Sequence, residues 1–403
     1  MPTIATERRS QWNSVLRRTV TPAVAAVSLL ACVQNIHAQD TNMIPSYKPI
    51  VGIGYSPFQG TENPNLGSYP TVAQISADLT NVVINLTGAI RTFGDTETLS
   101  NIPSLCYQYG IDCYPCAWLG GTSADTNSLN ILIDIANHNY STTKGLLVGS
   151  EALQGGYLTA SALLADVQYV KAGLKPGITV PVGTADTWNT IISYPQLVTN
   201  LDFAMINSYP YWEGVTIENS ASDILSRYNN FKATYPNTRV IVGEMGEPSG
   251  GTANNGAPVS QASMSNQQYF LETVLPMEKS NNIPYFYFEV FDETWKVTDG
   301  AGTVETNWGL YYANRTMKPS LSNFLSENLT ASVSGVQKSN RATLVVQTYA
   351  GDPYSVYASS NLLAGWSTNP ILRFTGAQAT NQTTVTVTNT GWKDGFFRLR
   401  QEF

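Results

Sequence analysis

Val148-Gly149-Ser150-Glu151 and Val242-Gly243-Glu244-Met245-Gly246-Glu247 are apolar runs that each give way to a carboxylate. Similar runs, rich in Val, Ile, Tyr and Phe, recur at 50–55, 82–86, 111–116, 145–149, 178–183, 203–207, 240–243 and 285–290. Near-continuous apolarity is the mark of strands covered on both faces. Amphipathic stretches such as 128–137 and 158–171 lie between them. The first five runs begin about 30 residues apart, the length of one strand–helix unit. Eight such units predict an α/β fold, a (β/α)8 TIM barrel over 48–325. Glu151 and Glu244 are 93 positions apart, three units of 31. The spacing therefore puts them at the ends of strands 4 and 7, on the mouth where barrel active sites are built.

Beyond about position 326 the texture changes. Short alternating segments at 330–336, 343–348, 354–358, 383–388 and 396–399 are separated by turn residues such as Gly351-Asp352-Pro353 and Asn389-Thr390-Gly391. They predict a small all-β, sandwich-like module over 329–403. Tyr354, Tyr357, Trp366 and Trp392 fit either a binding platform or the module's own core.

Charged residues make up 13% of the chain, against about 25% in ordinary soluble proteins. Tyr, Asn, Ser and Thr take their place, which suits a surface that meets neutral polyhydroxylated ligands. At the start, Arg8, Arg9, Arg17 and Arg18 precede an apolar stretch over 20–31, and Ile36-His37-Ala38 offers a small-residue cleavage site. Residues 1–39 thus read as a signal peptide of a secreted protein, extracellular or periplasmic. A second reading takes Leu29-Leu30-Ala31-Cys32 as a lipobox, which would anchor the protein through Cys32. Loss of 1–39 removes four arginines and Glu7 and takes the formal charge from −7 to −10. That acidity argues against nucleic acid and anionic membrane as partners, and nothing in the chain implies a protein partner, so a monomer is expected.

Only two histidines occur, His37 and His138, and the first falls in the predicted leader. A multi-histidine zinc site is excluded, a Ser-His-Asp triad would have to use His138, and no metal or cofactor is expected. His138 reads as a surface residue. Among Cys106, Cys113 and Cys116, an oxidising compartment predicts one disulfide and one thiol left over. Two carboxylates at strand ends suit the hydrolysis of a glycosidic bond. One protonates the leaving oxygen and the other attacks the sugar carbon.

Several motifs, in order, carry a resemblance to glycoside hydrolase family 17, the β-1,3-glucanase and glucanosyltransferase family. Val51-Gly52-Ile53-Gly54-Tyr55-Ser56-Pro57-Phe58 resembles its first strand, and Ile90-Arg91-Thr92-Phe93-Gly94 its second. Val148 to Leu153 is similar to the acid/base strand and Gly243-Glu244-Met245-Gly246-Glu247-Pro248-Ser249 to the nucleophile strand. Phe288 to Lys296, followed by Trp308-Gly309-Leu310, resembles the eighth strand and its exit. The resemblance implies a retaining β-glycosidase acting on β-1,3-glucan by double displacement, with Glu151 as acid/base and Glu244 as nucleophile. A glucanosyltransferase is the alternative, and a non-catalytic carbohydrate-binding surface protein a second one.

Arg91 is expected beside Glu244. Glu293 and Lys296, of a charged cluster that includes Glu289 and Asp292, are expected to orient the site. Tyr55, Trp118, Tyr209, Tyr211 and Trp295 are expected at the substrate, with Trp188 and Trp212 as further stacking surfaces. Two positions depart from the family pattern. Ser150 stands where most members carry an Asn that meets the sugar 2-hydroxyl, and Glu247 stands in place of a Trp. Both are expected to touch substrate.

Overall fold

The computed structural model describes residues 48–254, 261–298 and 300–327, and beyond them the strands of the C-terminal part. The predicted leader and Cys32 lie outside the described residues. The chain divides into two compact units, one running to Ser322 and a second from Asn323 onward.

The first unit is a parallel barrel. Its strands are β1 (Ile53–Gly54), β2 (Ala89–Arg91), β3 (Asp112–Tyr114), β4 (Cys116–Ala117), β5 (Leu146–Ser150), β6 (Val182–Thr187), β7 (Phe203–Asn207), β8 (Arg239–Met245) and β9 (Tyr285–Tyr287). They follow the order β3-β2-β1-β9-β8-β7-β6-β5-β4. The two ends of that order are halves of one chain segment. Pro115 has no N–H to give a ladder and splits the segment. β3 pairs with β2, and β4 pairs with β5. Counting the halves as one strand gives the eight of a closed (β/α)8 barrel. Glu151 then follows the fourth strand and Glu244 lies on the seventh.

Side chains from successive strands fill the interior. Ala89, Tyr114, Cys116, Leu147, Ala185, Phe203, Met205, Ile241 and Phe286 form one wholly buried cluster. Helices cover the outside. Asp125–Asn137 turns Leu129, Leu132, Ile135 and Ala136 inward, and Ala160–Gly173 buries Leu163, Val167 and Val170. Each therefore lays an apolar stripe at helical spacing on the strands.

Three strand predictions needed correction. Residues 82–86 are helical, within the turns Leu79–Val83 and Ile84–Leu86, and the second strand starts three residues later at Ala89. The fifth strand is Val182–Thr187 where 178–183 was expected, because Pro181 stops the ladder from starting sooner. The third is the split pair around Pro115. The expected disulfide is not formed: Cys106, Cys113 and Cys116 are buried free thiols.

In the second unit, β10 (Ala331–Val336), β11 (Arg341–Gln347) and β14 (Gln382–Thr388) form one antiparallel sheet. β12 (Pro353–Ser359), β13 (Leu372–Thr375) and β15 (Phe396–Gln401) form another. Strand β13 was not anticipated. Trp366 and Trp392 lie outside the described residues, as do the side chains of Tyr354 and Tyr357.

Candidate active site

The C-terminal strand ends bring together residues separated by up to 153 positions in sequence. Arg91 ends β2, Ser150 ends β5, Asn207 ends β7 and Glu244 sits near the end of β8. Arg91 is fully buried, and such a cation needs a partner. Its Nη1 lies 3.0 Å from Glu244 Oε1. The same guanidinium donates to the Gly243 carbonyl at 3.2 Å and to Ser150 Oγ at 3.0 Å. A Cβ on Gly243 would lie 2.7 Å from Met205 Cβ and 3.1 Å from Arg91 Nη1. Glycine is required there for arginine and glutamate to meet.

Glu244 has two further contacts. The Tyr209 hydroxyl donates to its Oε2 at 2.5 Å, and the Ser150 hydroxyl approaches Oε1 at 3.5 Å. Burial, followed by the charge of Glu244, raises the Tyr209 phenol well above its ordinary range, so it stays a donor.

Glu151 lies in a different setting. It follows β5 with φ +53°, the left-handed region that costs a non-glycine residue roughly 1 kcal/mol or more. Its N–H is anchored on the Ala185 carbonyl at 2.9 Å, and Asn207 Nδ2 donates to its Oε1 at 2.9 Å. Burial and then the negative charge of Glu244 push its carboxyl up to about 7, although the Asn207 bond favours the ionised form. A carboxyl near 7 can both give and take a proton at neutral pH, which suits a general acid and base.

Two lobes of one cleft meet at these carboxylates. One, of about 410 Å³, includes Tyr55, Ser150, Trp118, Glu293, Trp295 and Lys296 in its wall. The other, of about 420 Å³, includes Asn207, Tyr209, Trp212, Glu213 and Gln154. Glu151, Glu244 and Phe288 belong to both.

In the first lobe, Lys296 Nζ is 2.6 Å from Glu293 and 3.4 Å from Glu289. Burial alone would raise the Glu293 carboxyl, but Lys296 outweighs it and lowers the group below its usual range. Burial and the charge of Glu293 hold Glu289 well above its own. Ser56 and Trp295 Nε1 both donate to Glu293 Oε1. Trp118 is 48% exposed and offers an open ring face.

Several expected site residues are placed elsewhere. Glu247 is fully buried, and its charge acts on Tyr211 and Tyr287 beneath the cleft. Tyr211 is 2% exposed and packs edge-on against Trp212 and Trp308, so it supports the wall without offering a ring face. The Tyr55 ring lines the cleft floor while its hydroxyl turns outward to Asp78 at 3.3 Å. Asp292 leaves the charged cluster to pair with Lys318 at 2.6 Å. Trp188 donates to Glu213 and is covered by Arg227, 5.2 Å from its ring centroid. His138 is half-exposed on the outer surface.

Sequence reading missed Asn207 and Asp186. Asn207 carries the same signal as the glutamates, a polar residue closing an apolar run. Asp186 was hidden by the misplaced fifth strand. It accepts the Leu153 and Thr187 N–H groups, each at 2.9 Å, and fixes the turn after Glu151.

Several known proteins are similar to this chain. A curated protein of Schizosaccharomyces pombe, glucan 1,3-beta-glucosidase, is 31% identical over 257 residues, covering 60% of this chain and 78% of its own. The Saccharomyces cerevisiae protein of that name is 34% identical over 45% of this chain and 62% of its own length. The match to the Aspergillus niger putative glucan endo-1,3-beta-glucosidase spans 43% of that longer protein. Among solved structures, the glycoside hydrolase family 17 beta-1,3-glucanosyltransferase of Rhizomucor miehei is 33% identical with a TM-score of 0.57, over 68% of this chain and 96% of that one. The family model of the BtgE/BtgC glycoside hydrolase domain matches residues 52–309, and with more than half of its length so covered the chain belongs to that family of glycoside hydrolases.

Proposed function

We propose that the protein is a secreted retaining β-glycosidase that cleaves or transfers β-1,3-glucan by double displacement. The observation that carries this reading is the unequal pair at the cleft's centre. Glu244 is held between Arg91 and Tyr209, while Glu151 accepts from the amide of Asn207 and burial pushes it to about 7. Glu244 is the nucleophile that attacks the anomeric carbon, and Arg91 and Tyr209 fix the direction of its oxygens. Glu151 delivers its proton to the departing glycosidic oxygen, then takes one from the incoming acceptor.

Ser150 is on the wall of the lobe with Glu293 and Lys296. That lobe receives the sugar under attack, since the family contact at this position is to the sugar 2-hydroxyl. The lobe with Asn207 and Trp212 then takes the leaving group or acceptor. Water arriving there gives hydrolysis, and a second glucan gives transfer. The Rhizomucor miehei neighbour, solved as a mutant with laminaritriose, supports a laminari-oligosaccharide as ligand and keeps transfer open as an outcome. Export rests on the arginine pairs and apolar stretch within 1–39.

Incubation with laminarin tests the proposal. Mass spectrometry should show shorter oligosaccharides from the wild-type protein and none from Glu244→Gln. Intact laminarin in both samples would leave the carbohydrate-binding surface protein as the better reading.

A further inference from the structure

The leaving-group lobe contains a polar clamp with no role in the steps above. Gln154 lies three residues after Glu151 and is part of that lobe's wall. Its backbone is fixed relative to the acid. Gly155 N–H donates to the Glu151 carbonyl at 2.8 Å, and Asp186 holds Leu153 N–H at 2.9 Å. Its side chain, exposed at the surface, is tethered by hydroxyls. Thr190 Oγ1 donates to Gln154 Oε1 at 2.7 Å, and Thr187 Oγ1 donates to Thr190 Oγ1 at 2.8 Å.

A hydroxyl has one proton to give. The chain therefore runs from Thr187 through Thr190 to the amide oxygen, and the 3.3 Å approach of Thr187 to Gln154 is not a second full bond. With Oε1 bonded to Thr190, the other polar atom of the Gln154 amide is Nε2. Nε2, with two N–H donors, has no protein partner among the described residues. The nearby carboxylate of Glu213 is occupied by Arg227 Nη1 at 2.7 Å and Trp188 Nε1 at 3.0 Å. This wall therefore offers a neutral donor, which fits an uncharged hydroxylated ligand.

We propose that Gln154 is a specificity-determining residue of the leaving-group lobe. Its Nε2 donates to a hydroxyl of the glucosyl unit bound there and orients that unit's bridging oxygen toward Glu151. The proposal rests on the assignment of Glu151 as acid/base and of this lobe as the acceptor side. In the transfer step, the acceptor oxygen forms a bond to the anomeric carbon and the bond to the Glu244 oxygen breaks. The acceptor's proton passes to Glu151. Gln154 takes no part in these bond changes and acts by positioning.

Two substrates that form the same glycosyl-enzyme separate this role from a structural one. A laminari-oligosaccharide expels a sugar through the lobe, whereas an aryl laminaribioside expels a phenol that has no hydroxyl for the clamp. Loss of one neutral hydrogen bond predicts that Gln154→Ala lowers kcat/KM on the oligosaccharide about fivefold more than on the aryl glycoside. Gln154→Glu keeps the shape but replaces donors with acceptors, and should show at least the same differential. Thr190→Val frees the amide without touching it and should give a smaller differential in the same direction. Equal losses on both substrates, or no loss, would overturn the proposal. Wild-type protein inactive on both would instead overturn the glycosidase reading beneath it.

Discussion

Glu151 and Glu244 are the same residue at the same end of the same barrel, yet their surroundings differ in kind. A buried guanidinium and a phenol hold Glu244 from two sides. Glu151 has one neutral amide, a left-handed backbone and the charge of its neighbour to contend with. A fixed cation orients the oxygens of one carboxylate, and burial near another negative charge favours the protonated form of the other. On the proposed reading, the chemical division of labour is set by strand-end neighbours and not by the glutamates themselves.

The strongest way to break this comparison is to exchange the two roles' consequences. Glu244→Gln keeps shape but cannot form a glycosyl ester, so activity should fall on the order of 10⁴-fold or more while the fold persists. Residual activity above about a tenth would sink the nucleophile assignment. Glu151→Ala should cost about 10²–10⁴-fold on laminarin. With an activated aryl leaving group the first step needs no acid, so azide should restore turnover and yield a glycosyl azide. Equal losses on both substrates, with no azide product, would remove Glu151 from the acid/base role.

A third carboxyl sharpens the comparison by showing what burial does without chemistry. Glu278, on the helix Met264–Ser280, is fully buried with neither oxygen bonded among the described residues, and desolvation pushes it up to about 8 from 4.5. Its folded value is raised, so the neutral form is the one the fold accommodates. Stability is lost as pH rises through the window from about 4.5 toward about 8 and then levels off. Glu278→Gln should therefore gain about 1–3 kcal/mol over wild type at pH 8 and little at pH 4. Urea unfolding at the two pH values reads this, and equal midpoint differences at both would refute it. Activity should not change.

The smallest effect concerns Asn207. Activity should fall as pH rises past about 7, because Glu151 must be protonated for the first step. The Asn207 amide favours the ionised form, so Asn207→Ala should move that basic limb of kcat/KM to higher pH. A limb moving downward would contradict the assigned direction.

What could be read in the sequence follows from the physics of barrel strands. A strand covered on both faces is apolar until it leaves the sheet, so a polar residue closing an apolar run marks the catalytic face. That rule placed Glu151 and Glu244, and it applies equally to Asn207, whereas Arg91 was found by the family resemblance alone. It failed where an apolar run belonged to another element. Residues 82–86 are as apolar as a strand, and short runs do not distinguish strand from buried helix. Pro115 and Pro181 were the available signals for the split third strand and the late fifth one.

Side-chain direction beyond the strand end was not legible. Tyr211 stands in the right loop, but packing against Trp308 turns it into the wall behind the cleft, and Glu247 is fully buried. The clamp from Thr187 through Thr190 to Gln154 joins residues up to 36 positions apart. It depended on the strand that the sequence placed too early.

The central claim is that two displacements occur at one carbon, and the configuration of the first product tests it most directly. Proton NMR during early laminari-oligosaccharide cleavage, before mutarotation, should show the β-anomer first, with the α-anomer growing in later. An initial α-anomer would mean a single displacement by water, and neither the nucleophile role of Glu244 nor any transfer to sugar acceptors would survive it.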